Sequence, residues 1–331
     1  MADEPVTRFG LVGAGAMAQT WALSFRAVEG VDVTAVADVR DDAAKAMAEP
    51  FGAAVFDDVE ALAASGMCDA VVVCSPPATH ADVALTLIDA GIAVLCEKPL
   101  AIDCASAKKM VQAAKDAGVL LTMASKFRFV EDVIRARGIV TSGMLGDITL
   151  FSNSFASRVD MRNRWNADPA MSGGGVIIDN GTHSVDIARY LLGPLSEVLA
   201  VDARHVQELE VEDTAKLLLR TDTGAVGQIE LSWGVTNFAN SYIEVIGTEG
   251  VLRVGWSRSR FRTASAPHWV DFGSGYDKVQ AHARQLEGFA SAMRGHTDLL
   301  VTATDALASV AAIEAAYASI ASGAWAPVRD C

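Results

Sequence analysis

The chain has 331 residues, 51% hydrophobic and 21% charged, with a formal net charge of −14. That length and apolar content suit two domains with sizeable cores and exclude a disordered chain. The acidic balance excludes nucleic acid and anionic membrane as partners, since both reward clustered Lys and Arg.

No apolar run reaches the roughly 18 residues a membrane span needs, and residues 1–8 carry no apolar signal-peptide core, so a cytoplasmic protein is expected. Residues 8–12 form a short apolar run that leads into Gly13-Ala14-Gly15-Ala16-Met17-Ala18, and a helical pattern follows through Trp21, Phe25 and Val28. This strand, turn and helix carry G-x-G-x-x-A, a variant of the dinucleotide fingerprint. Gly13 permits the tight turn, and Gly15 lets the backbone approach a pyrophosphate. The helix N-terminus at Ala16 and Met17 offers N–H donors at the positive end of its dipole. The next strand, residues 31–37, ends in Asp38, 23 positions after Gly15, where an acid binds ribose hydroxyls. Asp38 predicts NAD. Arg40, just past Val39, keeps NADP open, because a nearby Arg accommodates the 2′-phosphate.

The alternation continues with helix 42–49, strand 53–56 and helix 57–64. The continuous apolar run 69–74 reads as a buried parallel strand and ends at Ser75-Pro76-Pro77-Ala78-Thr79-His80. A helix to residue 90, a strand over 91–96 ending at Glu97-Lys98-Pro99, a helix over 104–117 and a strand over 119–123 close the series. Such alternation predicts an α/β, doubly wound parallel sheet of the Rossmann type, here a dinucleotide-binding domain over residues 1–125. Its ligands bind at the carboxyl ends of the strands, where Gly13, Asp38, Ser75, Lys98 and Ser125 all fall. Ser75, Pro76, His80 and Glu97 therefore join the expected cofactor site. His80 either touches the cofactor or caps the following helix. Lys98 precedes a proline, which holds it extended, and its ammonium would stabilise a developing alkoxide.

Beyond residue 125 the pattern changes to an α+β domain over residues 126–331. A helix over 130–142 and a strand over 148–155 precede Gly173-Gly174-Gly175 and a helix running to residue 192. On that helix Asp179, His183 and Asp186 share one face. Between Gly173 and Ala188 there is no Lys, Arg or Glu, so the helix is buried and its polar groups need partners. His183 suits a general base at neutral pH. Asp179 orients the imidazole or binds a substrate hydroxyl, and Asp186 supports packing or caps a neighbouring backbone. Without a His-Glu-x-x-His motif, no metal is expected. Lys126, Arg128, Arg158, Arg162, Arg164 and Trp165 flank this stretch. They bind an anionic group of the substrate, or they pair with local acids such as Asp160 and Asp168. Strand-like segments at 198–203, 215–220, 225–233, 242–246 and 251–254, joined by tight turns, predict an antiparallel sheet, and helices over 277–294 and 304–322 finish the chain.

Four features together resemble the glucose–fructose oxidoreductase / inositol dehydrogenase family of NAD(P)-dependent enzymes, over nearly the whole chain. They are Gly13-x-Gly15-x-x-Ala18, Ser75-Pro76-Pro77-x-x-His80, Glu97-Lys98-Pro99, and the glycine triplet running into Asp179-x-x-x-His183-x-x-Asp186. The resemblance implies a Rossmann domain followed by an α+β domain built on an open, mostly antiparallel sheet, commonly a homodimer or homotetramer interface. It implies hydride transfer between the nicotinamide and a hydroxyl-bearing carbon of a sugar, sugar derivative or cyclitol. The catalytic lysine would be Lys98, and the Asp and His pair Asp179 and His183. An NADPH-linked reductase of a keto sugar or nucleotide sugar is the alternative enzyme. A regulator that binds the dinucleotide without reacting is the other, and it has no need of all three residues.

Overall fold

The computed structural model describes residues 5–331. The first four residues, part of the N-terminus read above for a signal peptide, lie outside them. The chain divides into two compact units: the chain up to Lys126 together with Lys278–Leu307, and Phe127–Asp277 together with Ala308–Cys331.

In the first unit the strands are β1 (Thr7–Val12), β2 (Val31–Ala37), β3 (Ala54–Phe56), β4 (Ala70–Val73), β5 (Ala93–Cys96) and β6 (Leu121–Met123). Between them run α1 (Ala16–Phe25), α2 (Asp41–Ala48), α3 (Val59–Ala64), α4 (His80–Asp89) and α5 (Cys104–Ala117). The sheet is parallel throughout, in the order β3-β2-β1-β4-β5-β6. Its order reverses between β1 and β4, the crevice where ligands of such sheets bind. Ala-Val-Val-Val of β4 and Ala-Val-Leu-Cys of β5 are buried at every position, as strands covered on both faces must be.

Helix α9 (Lys278–Met293), which chain order assigns to the second domain, belongs to this unit. Its Leu286, Phe289 and Ala290 join the core of Phe9, Trp21 and Phe25. The Ser24 hydroxyl donates to the Val279 carbonyl at 3.1 Å, and just past the helix Arg294 donates to the Gly30 carbonyl at 2.7 Å. The apolar face of α9 is complementary to α1, a match between residues far apart that no local pattern displays.

The second unit holds α6 (Glu131–Thr141), β7 (Ile148–Ala156), α7 (Pro169–Ser172), α8 (Val176–Leu192), β8 (Leu195–Asp202), β9 (Thr214–Thr221) and β10 (Val226–Ser232). It continues through β11 (Ser241–Gly247), β12 (Gly250–Gly255), β13 (Ser259–Thr263), β14 (Ala266–Gly273) and β15 (Ala326–Pro327). Helix α10 (Ala303–Ser322) precedes β15. The nine-stranded sheet runs β14-β13-β12-β11-β7-β10-β9-β8-β15 and is antiparallel except where β7 and β10 pair in parallel. That pairing is hidden from a sequence reading that joins consecutive strands by turns. Phe151 and Phe155 of β7, Ile229 and Leu231 of β10, and Leu217 and Leu219 of β9 point to the buried face, and α8 packs against these three strands. Strands β13 and β14 are also new, because arginine, serine and threonine break the apolar pattern of β13, and proline, histidine and aspartate break that of β14. Among the described residues no helix is long and apolar enough to cross a membrane.

Candidate active site

The turn after β1 is built for a close backbone approach. Gly13 has φ +89°, and a Cβ there would lie 2.7 Å from the Ser75 nitrogen, so glycine is required. Gly15 caps α1 in an extended conformation, no side chain caps the helix, and a Cβ at Gly15 would meet nothing within 4 Å. A helix N-terminus of this kind opening on space fits a pyrophosphate, with Ala16 and Met17 in its first turn. Asp38 closes the turn from β2. Its carboxylate accepts the Ala14 N–H at 2.6 Å and the Arg40 N–H at 2.8 Å. Burial works to raise its pKa, but these two bonds and the Arg40 guanidinium at 3.2 Å hold it below the usual carboxylate range. Val39 projects outward, almost fully exposed.

Two other expected cofactor contacts serve the protein instead. His80 is buried, with Nδ1 2.8 Å from the Pro99 carbonyl and Nε2 2.9 Å from the Ser75 carbonyl. Burial lowers its pKa and so favours the neutral ring, whose single N–H donates to one of these two carbonyls, between the loop after β4 and the loop after β5. Glu97 is buried too. It accepts the Trp21 indole N–H at 2.9 Å and the Lys98 N–H at 3.2 Å. Ser75 receives the Thr79 hydroxyl at 2.7 Å, while Pro76 accepts the same hydroxyl through its carbonyl at 2.8 Å. Lys98 is half-buried beyond β5, and its bond to Pro99 is cis. Trp21, read above only as part of a helical pattern, and His282, to which no role was given, brace this corner. The two rings meet edge to face at 4.7 Å, and burial pushes the His282 pKa down to about 4, so it is neutral at neutral pH.

In the second unit the glycine triplet has a structural cause. A Cβ on Gly175 would lie 2.0 Å from the Glu212 carbonyl oxygen, and one on Gly174 would lie 2.0 Å from the Tyr317 hydroxyl. The Glu212 carboxylate accepts the N–H groups of Gly175 at 3.1 Å and Ile177 at 3.0 Å, and the Tyr317 hydroxyl donates to it at 2.9 Å. Glu212 therefore caps α8 from a distant loop. Burial raises its pKa against the pull of these bonds. A single Glu between strands and a Tyr in the last helix carry no local signal of that role.

Asp179 and His183 sit half-buried one turn apart on α8, and Asp186 is buried. The His183 ring meets Phe127 edge to face at 5.1 Å. Arg128, expected to bind substrate, is instead paired with Asp186. Its Nε lies 3.0 Å from both carboxylate oxygens and its Nη2 2.6 Å from one, with the two side chains only 4% and 3% exposed. The guanidinium also lies 5.1 Å from the Tyr190 ring centre. Arg158, Arg162, Arg164 and Trp165 are exposed. Arg162 pairs with Asp160 at 2.8 Å and pushes that carboxyl down to about 2, while Asp168 caps α7 at the Ala170 N–H. Lys126 is half-buried at the end of the first unit.

Comparison with known proteins agrees with the fold. Residues 7–125 match the model of an oxidoreductase family with an NAD-binding Rossmann fold, and residues 133–253 match the GFO/IDH/MocA C-terminal domain. Inositol 2-dehydrogenase of Rhizobium meliloti (strain 1021) is 28% identical over 335 residues, covering 95% of this chain and 97% of that protein. D-glucoside 3-dehydrogenase of Escherichia coli (strain K12) is 30% identical over 258 residues, covering 77% of this chain and 73% of that protein. The crystal structure of GenD2 from gentamicin A biosynthesis in complex with NAD superposes with a TM-score of 0.87 at 28% identity, over 99% of this chain and 97% of that one. The chain belongs to the GFO/IDH/MocA family of oxidoreductases, enzymes with an NAD-binding Rossmann domain.

Proposed function

We propose that the chain is an NAD-dependent dehydrogenase acting on a hydroxyl-bearing carbon of a sugar, sugar derivative or cyclitol. The observation that carries this reading is the Asp179 and His183 pair, half-buried one turn apart on a mostly buried helix, in a chain with the dinucleotide turn at Gly13 and Gly15. Bound NAD supplies the hydride acceptor. His183 takes the hydroxyl proton on a ring nitrogen, a role that suits imidazole near neutral pH. Lys98, at the end of β5, carries an ammonium of the kind that lowers the cost of an alkoxide-like charge. Asp179 orients the imidazole or receives a neighbouring substrate hydroxyl.

Asp38 and Arg40 set the cofactor preference. A 2′-phosphate would sit against the ionised Asp38, and Arg40 is already engaged by that carboxylate. NADH is therefore expected to bind at least about tenfold more tightly than NADPH in a fluorescence titration, equivalent to about 1.4 kcal/mol. Equal binding would return Arg40 to the phosphate. The activity itself is tested by following nicotinamide absorbance across cyclitols, sugars, sugar phosphates and nucleotide sugars with both cofactors. Loss of the reading follows if none is oxidised and no corresponding ketone is reduced.

The proposal extends to a cytoplasmic homodimer or homotetramer joined through the nine-stranded sheet. Leu150 and Val226 are register partners on neighbouring strands of its open face, and both side chains are exposed. An exposed apolar pair of this kind supports burial against a second copy.

A further inference from the structure

We propose that Trp256 and Tyr276 form a stacking wall that selects ring-shaped over open-chain polyols, a specificity that rests on His183 lying at the reacting centre.

His183 is part of a continuous cluster of rings within the second unit. It meets Phe127 edge to face at 5.1 Å, and Phe127 stacks on Tyr276 at 5.4 Å with 21° between planes. Tyr276 meets Trp256 at 5.6 Å, and Trp256 lies over Tyr242 at 4.3 Å. Phe155 completes the circuit, 6.1 Å from Trp256 and 6.5 Å from His183. Phe127, Phe155 and Tyr242 are buried, Tyr276 and His183 are half-buried, and Trp256 is 44% exposed. The cluster thus opens outward at the catalytic candidate and at an indole on its rim.

The main chain that carries the indole is held in advance of any ligand. Its backbone N–H donates to the Asn240 carbonyl at 3.3 Å, and its carbonyl accepts the Tyr276 N–H at 3.0 Å. Gly275, at φ +105°, makes this pairing possible, since a Cβ there would lie 2.3 Å from the Trp256 carbonyl oxygen. A large apolar ring fixed by its neighbours yet left partly in water does not maximise burial. It loses little entropy when something covers it, which is the profile of a binding anchor.

The chemistry of that surface favours one shape of polyol. The face of an aromatic ring carries negative potential. A pyranose or cyclohexane polyol presents a flat row of weakly positive C–H groups on one side and hydroxyls around its rim. Such a face lies on an indole while the rim reaches hydrogen-bonding groups such as Asp179. An open-chain polyol has no preformed flat face and must freeze several torsions to make one.

The test is a pair of variants, Trp256→Leu, which keeps apolar volume without a ring, and Trp256→Phe, which keeps a ring. Each is assayed by NAD reduction on myo-inositol and methyl β-D-glucopyranoside as rings, and on D-sorbitol and xylitol as chains. Wild type is expected to prefer the rings. Trp256→Leu is expected to raise their KM about tenfold and to leave values for the chains within about twofold, with NADH binding unchanged, and Trp256→Phe is expected to restore most of the loss. A wild type that does not prefer rings, equal losses on rings and chains, or a Trp256→Leu protein indistinguishable from wild type each overturns the proposal. The KM ratio does not depend on which group accepts the proton, so failure of the His183 assignment, read from kcat of His183→Ala, is seen separately.

Discussion

Replacing His183 by Ala is expected to lower kcat by about 10²–10⁴-fold, the usual worth of a positioned general base, with NADH affinity within about twofold of wild type. The imidazole stands half-buried at the edge of Phe127, on a helix whose other acid, Asp186, is taken up by Arg128. Its ring is half-buried against Phe127 and Phe155 rather than fully enclosed, so truncation removes chemistry more than it removes core. Steady-state kinetics with the best polyol of the substrate panel, together with an NADH titration, measures both quantities. Wild-type turnover in the variant would remove His183 from the mechanism and shift the proton to Lys98 or Asp179. Asp179→Asn separates the two possible roles of that acid. A loss confined to kcat marks an orienting partner of the imidazole, whereas a raised KM marks a contact to substrate.

Breaking the Arg128–Asp186 pair is the largest stability effect expected. Arg128→Ala strands a carboxylate that is only 3% exposed, at a cost of about 3–5 kcal/mol. Denaturant unfolding checks this figure. Arg128→Lys is also expected to destabilise, because an ammonium cannot reproduce the fork that spans both oxygens of Asp186. The double replacement Arg128→Met with Asp186→Leu should recover much of the loss, since apolar residues of similar size leave no buried charge behind. A single Arg128→Ala variant that keeps wild-type stability but binds substrate poorly would contradict the structure and return Arg128 to the substrate.

That arginine shows how far a linear reading reaches. Its type and its position near the helix of His183 suggested anion recognition, and both facts were correct. What the chain order cannot express is that Asp186, fifty-eight positions on, comes to lie against it. His80 and Glu97 follow the same course. Each stands in a motif at the end of a strand and was expected to face the cofactor. One lies between two backbone carbonyls and the other is spent on the Trp21 indole. These motifs hold the loops beside Lys98 in place. The glycine triplet is similar, since its cause is the close approach of Glu212 and Tyr317.

The sequence by itself determined the parallel Rossmann sheet, the dinucleotide turn with Asp38, the family, and the shared helix face of Asp179 and His183. These rest on short-range regularities: alternation of strand and helix, glycine at fixed offsets, and side chains three or four residues apart on a helix. Only the tertiary structure decided that α9 completes the first core, that β7 pairs in parallel with β10, that Glu212 caps α8, that Arg128 neutralises Asp186, and that Phe127 and Phe155 pack against His183. Each of those depends on contacts between residues remote in the chain. Such contacts are settled by which surfaces fit when the elements pack and by the need of every buried charge for a partner, and neither leaves a local trace.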